Sequence, residues 1–115
     1  MPRAGRSSGR FALLGFAAWL GALGCAPSQE EIEREFDAYV DGANACSAAS
    51  DCGIARVDCP LGCFVAVRAD RVTSVERKAR ELIEDYESGG RSCAYDCVEP
   101  GALECVRERC TTAAE

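Results

Sequence analysis

The chain of 115 residues has no histidine, and its single Trp (Trp19) and single Met (Met1) both fall in the first 24 residues. Without histidine there is no Ser-His-Asp or Cys-His nucleophile and no imidazole metal ligand. Basic charge is scarce too. From Cys25 onward, 10 basic groups face 19 acidic ones, a balance of −9, and Lys78 is the sole lysine. Such a surface repels a phosphate backbone, so nucleic-acid binding is excluded as an expectation. Large aliphatic residues are also few: 16 Leu, Ile, Val and Phe occur among those 91 residues. With high charge, so thin a supply would ordinarily leave a chain disordered.

Cysteine is what the chain has in excess. Nine are present, and eight of them lie beyond residue 45. Four disulfides at roughly 2–4 kcal/mol each would match the net stability of a small domain. The bridges are therefore expected to hold the fold, and to require an oxidising compartment.

The first 24 residues supply the route there. Arg3, Arg6 and Arg10 precede a 14-residue apolar run, FALLGFAAWLGALG, which ends at Cys25. The run is short of the about 20 residues that span a bilayer. Its basic start and small-residue end read as an export signal over residues 1–24. Ala22-Leu23-Gly24-Cys25 resembles the lipobox of bacterial lipoproteins, although Ala22 and Leu23 exchange the family's usual preferences. That resemblance implies cleavage before Cys25 and its lipidation, and Ala26 at the next position implies the outer membrane. Ordinary secretory cleavage at the same site, leaving a free Cys25 thiol, is the alternative. Parity favours the lipoprotein, since removal of Cys25 leaves an even number of cysteines.

The organisation expected beyond Cys25 is a tether at 25–29 and one cysteine-rich α+β domain at 30–115. Ser28 and Glu31 have capping-box spacing, and Ile32, Phe36, Tyr39, Val40 and Ala43 share one face of an amphipathic helix over 29–43, ended by Gly42 and Asn44. Cys52, Ile54 and Val57 suit a strand, Pro60-Leu61-Gly62 a turn, and Phe64–Val67 a second strand. A second amphipathic helix is expected at about 70–87. It carries a stripe of Val72, Val75, Ala79, Leu82 and Tyr86, an N-cap at Asp70 and a stop at Gly89-Gly90. Glu76/Arg80, Arg77/Glu81 and Arg80/Glu84 are spaced for ion pairs on its outer face. Leu103–Val106 and Arg109–Thr112 read as a hairpin about Arg107-Glu108, with Cys105 opposite Cys110.

The candidate disulfide residues are Cys46, Cys52, Cys59, Cys63, Cys93, Cys97, Cys105 and Cys110. Their spacing is an approximate palindrome about the second helix, with two C-x3-C units innermost. Bridges between the inner units would clamp that helix. A Cys105–Cys110 cross-strand bridge is also open, although the turn lacks Asn-Gly chemistry. Zinc and thiol-redox chemistry are the competing uses of these cysteines. The spacing is not the C-x2-C of zinc ribbons or of redox motifs, and Asp51, Asp58 and Asp96 beside cysteines would raise a thiol pKa. No stretch has the alternating carboxylates of a calcium loop.

Four stretches, Cys46–Cys52, Asp58–Val67, Ser92–Cys97 and Glu104–Cys110, together resemble small cysteine-rich lipoproteins of myxobacteria and related bacteria, over roughly residues 44–112. That group has no assigned activity, so the resemblance implies compartment and scaffold and supplies no catalytic residue. The expectation is a non-enzymatic, lipid-anchored envelope protein with no cofactor, whose partners are the membrane through its anchor and an unidentified protein. The first rival is a disulfide-scaffold protease inhibitor presenting Pro60-Leu61-Gly62 or Val98–Ala102. The second is a metal or thiol-redox protein.

Overall fold

The computed structural model describes residues 26–113. The leader, Cys25 and its lipidation lie outside the described residues. The domain is α+β, with two helices and two small antiparallel sheets.

Helix α1 runs Gln29–Asp41. The Ser28 hydroxyl accepts from the Glu31 N–H at 3.1 Å, and the Glu31 carboxylate accepts from the Ser28 N–H at 2.8 Å. This reciprocal cap satisfies two amide groups that a helix start leaves without partners. At the other end Gly42 and Ala43 donate to the Tyr39 and Val40 carbonyls, closing the helix two residues before the expected end. Ile32, Phe36 and Val40 are buried, and Tyr39 is only half-buried.

A short 3-10 turn, Ala49–Asp51, leads into β1 (Cys52–Arg56), which pairs antiparallel with β2 (Phe64–Arg68). Alternation along these strands separates two cores. Ala55, Val67 and the neighbouring Val57 face the helices, while Cys52 and Ala66 face the other way. Gly53 sits where the second helix begins. A Cβ there would lie 3.0 Å from Val72 Cγ2 and 3.3 Å from Ala69 Cα, so the absence of a side chain permits the close approach.

Helix α2 runs Val72–Glu87 after a 3-10 turn at Ala69–Arg71, and it starts later than the sequence implied. Asp70 is not its N-cap. Its carboxylate pairs with Arg68 at 2.9 Å, and residue 71 precedes the helix with no side-chain cap. Val75, Ala79, Leu82 and Tyr86 pack against α1 and β1, and Ile83, outside the expected stripe, is buried as well. The three i,i+4 ion pairs do not form. Among the described residues the ion pairs are Lys78–Glu35 (2.7 Å), Arg68–Asp70 and Arg109–Asp41. Glu76 instead accepts from the Arg56 backbone N–H at 2.8 Å, tying α2 to the end of β1.

Strands β3 (Leu103–Val106) and β4 (Arg109–Thr112) pair with Cys105 opposite Cys110 and Val106 opposite Arg109. Arg107 (φ 53°) and Glu108 (φ 63°) both occupy the left-handed region. Two positive φ values give the turn the handedness that matches strand twist, here without the residues that adopt it most readily. Segment Ala43–Cys46 joins the two sheets. Ala43 accepts from the Arg68 N–H and Asn44 from the Cys110 N–H, both at 2.8 Å, while Cys46 donates to Glu108 at 3.0 Å. Asn44, read as a helix terminator, thus lies buried beside the Ala45–Arg109 bridge.

Candidate interaction surface

The eight cysteines beyond Cys25 form four disulfides. Cys59 bonds Cys93 and Cys63 bonds Cys97, with Cα separations of 5.8 and 5.7 Å, so the two C-x3-C units face each other. The outer four do not use the cross-strand bridge. Cys46 bonds Cys105 and Cys52 bonds Cys110, at 6.0 and 5.7 Å. The bridge is unused because Ala43–Cys46 lies against β4, while β1 packs on β3 and β2 on β4, which brings Cys46 and Cys52 to the cross-strand pair. With Ala66 and Leu103, these cysteines make a second, sulfur-rich core.

The sulfur atoms of Cys46, Cys52 and Cys110 lie within 4.8 Å of one another, a separation that could gather them about a metal ion. Each is nevertheless committed to a disulfide. A disulfide sulfur is no thiolate, and thiolate is the form that coordinates zinc or attacks as a nucleophile. The residues as bonded do not fit a metal centre.

Among the described residues, a larger and a smaller hollow lie on the surface. The larger, about 840 Å³, is polar and open, bordered by Ser47, Asp51, Arg68, Asp70 and Glu108. Three of its four charged groups already have partners within the fold. Asp51 accepts from the Ser47 and Ala48 N–H groups at 2.8 and 3.1 Å, which holds its carboxyl below the usual range, and Arg68 is paired with Asp70. The smaller, about 360 Å³, lies beside the Cys59–Cys93 bridge, between Ile83, Glu87 and Tyr95. Lys78 is held in its charged form to a higher pH than usual, chiefly by its hydrogen bond to Glu35.

The segment linking α2 to β3 differs from all of this. Residues 91–102 contain neither helix, strand, turn nor bend, and 91–99 are exposed throughout. Between residues 92 and 101 no backbone N–H or C=O has a backbone partner among the described residues. Two disulfides pin its first half, at Cys93 and Cys97. Its far end is pinned by packing. A Cβ on Gly101 would collide with the Ala113 carbonyl oxygen, and the Ala113 N–H donates to the Ala102 carbonyl at 2.8 Å. Tyr95 and Val98 are 48% and 80% exposed, two of the three large apolar residues so placed among those described. The other loop singled out in the sequence is less available, because Leu61 packs against the main core. The sequence offers Val98–Ala102 as an exposed loop. The Gly101–Ala113 contact has no sequence signature.

Comparisons with protein-family models, with curated proteins and with solved structures find no match to this chain.

Proposed function

We propose that this chain is a non-catalytic, lipid-anchored envelope protein that presents a disulfide-stapled recognition segment to a protein partner. Its four disulfides suggest an exported protein, and no helix among the described residues is long and apolar enough to cross a membrane. The finer reading, an outer-membrane anchor at Cys25, rests on the sequence around that residue. The observation that carries the interaction role is the exposed 91–102 segment. A fold that fixes a segment and leaves its backbone groups unpartnered has met the ordering cost of binding in advance. The two helices, each with an exposed acidic flank, then act as the soluble body that carries the segment.

Intact mass of protein extracted from membranes, with thiol alkylation before and after reduction, tests this reading. The expected species begins at an acylated Cys25, takes no label before reduction and eight labels afterward, two for each bridge. Labelling of internal cysteines before reduction would overturn it in favour of metal or thiol chemistry. An unmodified Cys25 would overturn the anchor and leave a secreted domain.

A further inference from the structure

The stapled segment has a geometry more specific than general exposure. Val98 directly follows Cys97, whose sulfur is bonded to Cys63, and it precedes Glu99 and Pro100. Gly101 and Ala102 are then fastened to Ala113. Three residues therefore bridge a covalent anchor and a packed one. Val98 is the most exposed large apolar side chain described, and Pro100 has a ring-fixed φ and no N–H to satisfy.

Resting on the reading of the chain as an interaction module, we propose that residues 97–100 form a substrate-like loop that occupies the cleft of a serine endopeptidase, with Val98 in its primary specificity pocket. Such enzymes bind an extended strand through backbone hydrogen bonds and select it by one side chain, and a small apolar pocket accepts a short aliphatic one. The N–H and C=O groups of Val98 and Glu99 and the carbonyl of Pro100 have no backbone partner among the described residues and are available for those bonds. Tyr95 is a poorer anchor because it partly lines the hollow beside Ile83 and Glu87, and Leu61 because it packs inward.

The disulfides explain why the loop would inhibit rather than be consumed. When the enzyme's serine oxygen attacks the Val98 carbonyl, the Val98–Glu99 amide breaks, an acyl-enzyme ester forms, and the Glu99 amine takes a proton from the enzyme's histidine. In an ordinary substrate that amine diffuses away. Here Cys97–Cys63 holds the acyl side, while the Ala113 contacts and the Cys46–Cys105 and Cys52–Cys110 bridges hold the amine side. The amine stays beside the ester, and its return reforms the amide and frees the serine. Water attack instead yields a chain heavier by one water and still covalently whole until reduced.

The test titrates the oxidised chain from Cys25 onward against elastase-, chymotrypsin- and trypsin-type serine proteases. Expected is nanomolar inhibition of the elastase type, with the other two at least ~100-fold weaker. Val98→Asp should abolish inhibition. Val98→Lys should transfer it to the trypsin type, whose pocket carries an acid. Because residue 98 is 80% exposed, both variants should keep four disulfides by mass, which separates loss of recognition from loss of fold. Absence of elastase-type inhibition, inhibition indifferent to residue 98, or steady turnover of the chain at 98–99 would each overturn the proposal. Acylation of Cys25 and the eight-label count of the four bridges are read by the separate mass measurement and would survive that failure.

Discussion

Cys105 and Cys110 stand directly opposite each other across β3 and β4, yet each bonds a different residue of the N-terminal half. Cys46 takes the first and Cys52 the second. The two bridges share one small core, in which the sulfurs of Cys46, Cys52 and Cys110 approach within 4.8 Å. A thiol released there has another disulfide in reach.

Cys105→Ser should exploit that proximity. The freed Cys46 thiolate attacks Sγ of Cys52 or Cys110, forming a new bond and releasing the other sulfur as thiolate. Peptide mapping under non-reducing conditions should find Cys46–Cys52 or Cys46–Cys110 beside the native bridge, in proportions that rise with pH. A variant with only Cys52–Cys110 at every pH would show the core to be rigid against exchange. The double variant Cys46→Ala/Cys105→Ala, which leaves no thiol, should lose roughly 2–4 kcal/mol by denaturant unfolding.

The turn at Arg107-Glu108 should be improvable. Both residues carry positive φ, which costs an ordinary L-residue roughly 1–2 kcal/mol. Replacing the pair by Asn-Gly should raise stability by about 1 kcal/mol, after allowing for glycine's greater freedom when unfolded. Thermal unfolding of the variant and parent at equal protein concentration measures it, and an unchanged or lowered Tm would count against strain in the turn.

Stability should fall in acid through two carboxyls. The Ser28 backbone N–H, followed by its hydroxyl, holds Glu31 below its ordinary range, and the Ser47 and Ala48 N–H groups do the same for Asp51. Both ionise more readily folded than unfolded. Their contribution is therefore full above the usual carboxylate range and is lost as pH falls from about 4 through the lowered folded values. Tm measured against pH should decline over that interval. Asp51→Asn should lower Tm at neutral pH and flatten the acid limb. Ser28→Ala should cost about 1 kcal/mol at neutral pH.

Features set by neighbours in sequence were the legible ones. The Ser28–Glu31 cap, the β3 and β4 bounds and the turn between them follow from spacing alone. The facing of the inner cysteine units, 34 residues apart, was legible instead from the palindromic spacing about α2. What escaped depends on partners distant in the chain. Glu76 looks like an ion-pair member until the end of β1 needs an acceptor, whereas Asp70 is lost as a cap to a nearer rival, Arg68. Asn44 looks like a helix stop until Ala43–Cys46 is seen joining two sheets. The same crossing decides the outer disulfides. On the candidate surface, sequence located Val98–Ala102 but could not weigh it against Pro60–Gly62. Only burial of Leu61 and the Gly101–Ala113 contact separate the two.

All four bridges run from a cysteine before α2 to one after it. No native bond lies within either half. A chain crossing a membrane from its N-terminus therefore presents Cys46, Cys52, Cys59 and Cys63 to the oxidising side before any correct mate has emerged. Every bond made in that interval is a wrong one, and the first right one must wait for Cys93. For a chain exported in that direction, the order of emergence works against the order of pairing, and maturation would call for rearrangement of bridges as much as for their oxidation.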